Sequence, residues 1–203
     1  MPERAYPDFS HAALDLGLLT APFKVQTSWH VITGAPSCGK TTLINLLADR
    51  GFKVIPESAR LYMEKEVAAG RAVADLHKDG AALQRRCAEI QLGVEARLQA
   101  NEISFLDGAF PGCLAWFRAF GLDPNEILPA CFHHRYASVF ILDQLPPQMD
   151  GFRFKDEALA GFLDEWIVRD YTSLGYRVVR VPMSTPQERL ALVLEKLAEQ
   201  RQR

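Results

Sequence analysis

The segment between residues 31 and 43 constrains the fold of this chain more than any other, and it reads VITGAPSCGKTTL. Gly34 is followed by four free positions and then by Gly39, Lys40 and Thr41, which is the G-x-x-x-x-G-K-[ST] spacing. The two glycines let the backbone turn tightly, so that successive N–H groups point towards one anion. A helix that begins at Lys40 adds the positive end of its dipole. The segment therefore predicts a phosphate-binding loop between a strand and a helix.

Two side chains of this loop have predicted chemical roles. Lys40 carries a charge that reaches the outer phosphates of a nucleoside triphosphate, and the Thr41 hydroxyl can ligate Mg²⁺. The alternative is an ordinary glycine-rich turn, but an apolar strand precedes the loop and helical apolar spacing follows it, as the motif requires. The residues predicted to bind ATP or GTP are Gly34, Ala35, Pro36, Ser37, Cys38, Gly39, Lys40, Thr41 and Thr42.

Two acidic residues come directly after predicted strands. Asp107 ends an apolar strand and is predicted to lie beside the loop, where it would hold Mg²⁺ or accept a proton; a turn-capping role is the alternative. Glu57 follows the second predicted strand and is placed to take a proton from a substrate hydroxyl. Its alternative is an acid that the helix dipole favours in a first turn. Arg60, one turn later, would hold the substrate or its phosphate.

Candidates on loops complete the predicted nucleotide site. Arg153 lies on a proline-rich loop and would close over the transferring phosphoryl group, the alternative being a solvated charge. Pro182 follows the last predicted strand, where a nucleotide base would stack. The alternative for this turn is a plain helix start with Ser184 or Thr185 as its N-cap. The predicted catalytic residues are Lys40, Glu57, Asp107 and Arg153.

Gln91 and Glu95 lie four residues apart on a long predicted helix. Side chains at this spacing share one face, so the pair could meet a polar ligand, and Gln91 is predicted to bind substrate together with Glu57 and Arg60. The alternative is that both residues lie on the surface.

The order of the predicted elements indicates an α/β fold. Strands alternate with helices, which favours a parallel sheet covered on both faces, with ligands at the carboxyl edge of the strands. Much helix, residues 58–69 and 79–100, separates the second strand from the third and provides a lobe over the substrate. Weaker helices are expected at residues 13–19 and 126–132. The predicted strands are Trp29–Thr33, Lys53–Pro56, Ile103–Asp107, Ser138–Leu142 and Arg177–Val181.

Composition limits the classes of partner. The 203 residues are 48% hydrophobic with a net charge of −2, which indicates a globular protein without a basic field for nucleic acid or an anionic membrane. No signal-peptide core or membrane-spanning stretch is evident, and the four cysteines form no C-x-x-C pair. We expect a cytoplasmic monomer or homodimer, with an N-terminal extension over residues 1–27 and a nucleotide-binding domain over residues 28–203.

Some familiar signatures are absent from the sequence. It contains no [NT]-K-x-D stretch to read guanine, and no D-x-x-G switch begins at Asp107. Asp107 is followed by Gly108 and not by the water-activating Glu of motor-type ATPases. The pattern favours phosphoryl transfer over hydrolysis.

The phosphate loop, the run GFKVIPESAR at residues 51–60, FLD at residues 105–107 and DGFR at residues 150–153 together resemble a family of AAA-like P-loop ATPases. That family is related to the ribosylnicotinamide kinase domain and, more distantly, to deoxynucleoside kinases. The resemblance implies a five-stranded sheet in the order 2-3-1-4-5, with Glu57 as the acid after strand two, Arg60 as its nearby arginine and Arg153 as the lid arginine.

The chain departs from this family after the third strand. Asp107-Gly108-Ala109 stands where Asp-Arg-Gly is common, and Gly112 stands where a second acid is usual. The sequence thus predicts a small-molecule kinase that uses ATP or GTP and Mg²⁺ on a nucleoside-like acceptor. A nucleotide-binding regulatory module with weak or no NTPase activity is the alternative, and an NTPase that acts on nucleic acid is disfavoured by the charge balance.

Overall fold

The computed structural model describes residues 9–72, 79–145 and 157–201. The strands are β1 (Val25–Gln26), β2 (Trp29–Thr33), β3 (Lys53–Ile55), β4 (Ser104–Asp107), β5 (His134–Arg135), β6 (Ser138–Leu142) and β7 (Val178–Val181). The α-helices are α1 (Lys40–Asp49), α2 (Ser58–Ala68), α3 (Gly80–Glu95), α4 (Gly112–Ala119), α5 (Glu157–Ser173) and α6 (Pro186–Arg201). Short 3₁₀ helices cover Leu18–Thr20, Pro124–Glu126 and Leu128–Phe132.

The main sheet has five parallel strands in the order β3-β4-β2-β6-β7. If only the five predicted strands are numbered along the chain, this order becomes 2-3-1-4-5. The predicted fold class and strand order are therefore confirmed. A two-stranded sheet of β1 and β5, which the sequence analysis did not predict, lies apart from it. Because β2 is central, the loop that follows it emerges between the ends of β4 and β6.

Both faces of the sheet are buried, as a parallel sheet requires. Side chains alternate along β2, so that Val31 joins the cluster with α4 and α5 while Ile32 joins the cluster with α1 and α6. Apolar residues of α1 (Leu43, Leu47) and α6 (Val193) fill the second cluster.

One predicted helix is wrong, and another is a 3₁₀ helix. Residues 13–19 contain only the start of the 3₁₀ helix Leu18–Thr20, because the Asp15 carboxylate accepts hydrogen bonds from the N–H groups of Gly17 and Leu18 at 2.7 and 3.2 Å and so competes with a helical ladder. Of the predicted helix at residues 126–132, the structure forms the 3₁₀ helix Leu128–Phe132. The long third helix also ends at Glu95 and not at Ala100.

The first described residues pack on the domain. The N–H of Ser10 donates to the Arg118 carbonyl at 3.0 Å, and β1 pairs in parallel with β5. Among the described helices, none combines the length and apolarity needed to cross a bilayer.

Candidate active site

The loop between β2 and α1 has the backbone of an anion cradle. Gly34, Ser37 and Gly39 take positive φ angles of 142°, 67° and 90°. A Cβ at Gly34 would lie 2.9 Å from both the Cys38 Sγ and the Leu142 carbonyl oxygen, so no larger residue fits there. The loop therefore owes its shape to glycine where the motif places it.

Several backbone N–H groups of this loop have no acceptor in the described part of the chain. Among the described residues, no protein acceptor bonds the backbone N–H groups of Ser37, Gly39, Thr41 and Thr42. The Lys40 Nζ donates to the carbonyls of Gly34 and Ala35 at 3.0 and 3.1 Å, which holds the ammonium over the loop. Free amides at a helix N-terminus and a nearby ammonium form a site for a polyphosphate.

Asp107 lies beside this loop, as its strand position predicted. It pairs with Ile32 in the β2–β4 register, and its side chain is only 5% exposed. Burial and the charge of Glu57 raise the pKa of Asp107 to about 6, while Lys40 and Arg60 act in the opposite direction. The Asp107 Oδ1 is buried and has no hydrogen-bond partner in the described part of the chain. A carboxylate oxygen without a partner, on the strand beside the phosphate loop, fits the oxygen-ligand preference of Mg²⁺.

Glu57 and Arg60 lie at the start of α2, which follows β3 at the same edge of the sheet. Glu57 occupies the N-cap position and is half-buried, with no side-chain bond to the helix N-terminus. Arg60 is exposed, and its Nε donates to Glu64 at 2.8 Å. The hydrogen bond and charge of Glu64, with smaller effects from Glu57 and Asp107, raise the pKa of Arg60. The four predicted residues Lys40, Glu57, Arg60 and Asp107 thus share one electrostatic environment.

Gln91 and Glu95 are both buried, so the surface alternative is wrong. The Ser58 hydroxyl donates to the side-chain oxygen Oε1 of Gln91, and the side-chain Nε2 of Gln91 donates to Glu95 at 2.9 Å. Glu95 also accepts from the Phe110 N–H and the Tyr136 hydroxyl, each at 2.8 Å. This chain of bonds joins α2, beside Glu57, to the loop after Asp107. A direct contact of Gln91 with substrate remains a prediction.

The turn after β7 contains the helix N-cap that the sequence offered as one alternative. Thr185 caps α6, since its hydroxyl accepts from the Glu188 N–H at 3.3 Å while the Glu188 carboxylate accepts from the Thr185 N–H at 2.9 Å. Pro182 stays a predicted base contact, and its carbonyl accepts from Arg189 at 3.0 Å. The sequence analysis missed Arg189, although its spacing four residues before Val193 places it on the apolar face of the helix. The predicted lid residue Arg153 lies outside the described residues.

A sequence family described as an AAA domain matches residues 29–189. The chain belongs to this family. The match covers the phosphate loop, Asp107 and the turn after β7, and it ends at Arg189. A search of curated proteins found no match.

Several solved structures share the fold of this AAA-domain protein. The NadR protein in complex with NR is 24% identical over 76% of this chain and 45% of that chain, with a TM-score of 0.57. The deoxyadenosine kinase from M. mycoides is 13% identical over 84% and 98% of the two chains, with a TM-score of 0.59. The thymidylate kinase from Ehrlichia chaffeensis is 14% identical over 85% of this chain and 99% of that chain, with a TM-score of 0.60. The chain spans about half the length of the NadR chains, and it shares its fold with all three of these structures.

Proposed function

We propose that this protein is a small-molecule kinase that transfers the γ-phosphoryl group of ATP or GTP to a hydroxyl group of a nucleoside-like acceptor. The observation that carries the proposal is that loop amides and a buried Asp107 oxygen, none of them bonded within the described residues, lie at one edge of the sheet. A hydrolase would need a residue that activates water, whereas Gly108 follows Asp107 here.

Each residue has a distinct part in this reaction. The loop amides and Lys40 bind the phosphates, and Glu57 accepts the proton of the acceptor hydroxyl as its oxygen forms the new bond to phosphorus. The bond between the γ-phosphorus and the bridging oxygen breaks, and the nucleoside diphosphate leaves. Arg153 is proposed to neutralise charge on the transferring group. Thr41 and Asp107 would hold Mg²⁺, which supplies positive charge against the phosphate oxygens.

The acceptor side is more open than the family pattern implies. Among the described residues, a Cβ at Gly112 would have only the Thr33 hydroxyl near it, at 4.0 Å, and a Cβ at Gly108 would have no neighbour within 4 Å. Space therefore remains where related chains carry an arginine and an acid. Arg60 and Gln91 are the proposed acceptor contacts, and the partners are a nucleotide and a small molecule rather than nucleic acid.

The direct test is incubation with γ-labelled ATP or GTP, Mg²⁺ and a panel of nucleosides that includes nicotinamide riboside. Label should appear in one phosphorylated acceptor. Glu57→Gln should lower turnover roughly 100-fold or more, because it removes the proton acceptor, and should leave nucleotide affinity unchanged. Glu66→Gln, on the same helix but bonded to Arg71, is the matched control and should keep turnover. Label that appears only in free phosphate across the panel would contradict the proposal.

The absence of an arginine after Asp107 favours a second candidate, a nucleotide-binding module without transfer activity. Such a module would bind ATP or GTP with an affinity that depends on Lys40. It would show no acceptor-dependent turnover, and Glu57→Gln would then have no catalytic effect to measure.

A further inference from the structure

Arg189 is a buried charge that bonds three backbone carbonyls in the part of the chain that the structure describes. Arg189 is only 3% exposed. Its Nη1 donates to the Cys38 carbonyl at 2.5 Å, its Nη2 to the Asp143 carbonyl at 2.9 Å and its Nε to the Pro182 carbonyl at 3.0 Å. Within the described residues it forms no ion pair with a carboxylate. A guanidinium removed from water without a counter-ion is costly, so its position calls for an explanation.

The three carbonyls belong to three different loops at the same edge of the sheet. Cys38 lies in the phosphate loop after β2, Asp143 follows β6, and Pro182 follows β7. These strands are neighbours in the order β2-β6-β7. One rigid, planar fork therefore ties the loop that would bind phosphate to the turn that would contact the base.

The contact with the phosphate loop is close. A Cβ at Gly39 would lie 3.3 Å from the Arg189 Nη1, so the guanidinium packs directly against the second motif glycine. Burial raises the pKa of the Cys38 thiol, which is therefore neutral and offers Arg189 no negative charge. Among the described residues, the guanidinium is therefore bound by the carbonyl dipoles of three loops, and it links these loops to one another.

We propose that Arg189 is a positioning residue that sets the spacing between the phosphate loop and the turn after β7, so that one nucleotide can contact both at once. The proposal rests on nucleotide binding at the phosphate loop. A ligand that spans two subsites gains affinity only when their separation matches its own length. Loss of Arg189 should therefore weaken a nucleotide more than it weakens the phosphate chain by itself.

The experiment measures the dissociation constants of ATP, GTP and inorganic tripolyphosphate by calorimetry with Mg²⁺ present. The readout is the advantage of the tighter nucleotide over tripolyphosphate. In Arg189→Met this advantage should fall by roughly tenfold or more, while tripolyphosphate binding stays within about threefold of the wild-type value. Arg189→Lys keeps the charge but reaches fewer carbonyls, so it should restore part of the advantage.

Arg118→Lys is the matched control for general destabilisation. Arg118 is also buried, at 0% exposure, but it pairs with Asp170 at 2.7 Å and bonds the Ala12 carbonyl. Its conservative variant should leave the nucleotide advantage unchanged even if its melting temperature falls. Circular dichroism confirms that each protein is folded at the assay temperature.

The outcomes separate the two levels of inference. If wild-type protein binds neither nucleotides nor tripolyphosphate, the proposed function fails, and the role of Arg189 fails with it. If wild-type protein binds both, but folded Arg189→Met and Arg189→Lys lose nucleotide and tripolyphosphate affinity by the same factor, Arg189 only supports the phosphate loop. An unchanged nucleotide advantage in both folded variants would likewise overturn the proposal.

Discussion

Asp107 illustrates at the scale of one residue how a site can cost stability. The carboxylate is buried, lies within the electrostatic reach of Glu57 and has an oxygen without a partner among the described residues. A residue selected for stability alone would not carry a charge there, since an amide or an apolar side chain avoids the desolvation cost. The position is explained if the charge serves a bound cation.

We predict that Asp107→Asn stabilises the ligand-free protein at neutral pH. The carboxyl has a pKa of about 6 in the folded protein and an ordinary value of 3.8. Between these values the folded state binds more protons than the unfolded state, so this residue lowers the free energy of unfolding as pH rises. The stability difference between variant and wild type should grow from near zero at pH 4 to at most about 3 kcal/mol at pH 7.

Urea unfolding at a series of pH values measures this difference. Asp49→Asn, at the exposed end of α1, is the control and should not reproduce the slope. Asp107→Asn should also lose Mg²⁺-dependent nucleotide binding. Parallel stability profiles for wild type and Asp107→Asn would show that Asp107 does not carry the buried charge described here.

Residues with local signals were predictable, whereas residues that act through distant partners were not. Lys40 and Thr41 follow from spacing within one loop, and Asp107 follows from the end of one strand in a parallel register. Arg189 bonds the Cys38 carbonyl 151 residues earlier, and no pattern along the chain records such a contact. Arg153 stays a sequence prediction.

At the scale of elements, Glu95 holds α3 against two other segments. Its Oε1 accepts from the Gln91 amide and the Phe110 N–H, and its Oε2 accepts from the Tyr136 hydroxyl. The bond to Phe110 anchors the loop that leaves Asp107 and leads to α4. The sequence analysis placed Gln91 and Glu95 on one helical face correctly. It could not tell that this face meets polar groups of other segments, because helical spacing gives the face and not its partner.

We predict that Glu95→Ala and Glu95→Gln differ widely in stability. Alanine leaves three buried donors without an acceptor, which should cost roughly 3–5 kcal/mol of unfolding free energy. Glutamine keeps a carbonyl oxygen for Phe110 and Gln91, and its amide can donate to the Tyr136 hydroxyl, so the loss should stay below about 1.5 kcal/mol. Denaturant unfolding of the two variants decides the point. Equal stabilities would mean that the bonds to Glu95 do not hold these elements together.

The order of the elements was predictable because each carries its own pattern. Strands β2, β4 and β6 are short apolar runs that alternate with helices, and parallel pairing with right-handed crossovers leaves few possible arrangements. The pairing of β1 with β5 was missed because each has only two residues, too few for a periodic signal. The false helix at residues 13–19 failed for a related reason, since the bonds of Asp15 outweighed a weak pattern.

At the scale of the whole molecule, different segments of the chain pack on the two faces of the sheet. Cys38 of the phosphate loop and apolar residues of α6, the helix that contains Arg189, pack on the face with α1, whereas Phe9, Leu14, Leu19 and Phe23 pack against the cluster on the other face. The ring centroid of Phe23 lies 5.2 Å from that of Phe132 and 5.6 Å from that of Tyr176. The Arg135 guanidinium lies 4.8 Å from the ring centroid of Phe23. The described N-terminal residues are therefore part of the core on the face covered by α4 and α5, which Ala35 of the phosphate loop also joins.

We predict that Phe23→Ala destabilises the whole protein without changing nucleotide affinity. Loss of a packed aromatic ring should lower the unfolding free energy by roughly 2–4 kcal/mol, whereas Leu16→Ala, at a side chain that is 79% exposed, should change it by less than about 0.5 kcal/mol. Thermal unfolding followed by circular dichroism should show one transition that moves as a unit in Phe23→Ala. If the main transition stays in place, residues 9–27 form a separate unit and not part of this core. If it moves and ATP or GTP binding weakens with it, the two faces are energetically coupled through β2, the strand that contributes to both clusters.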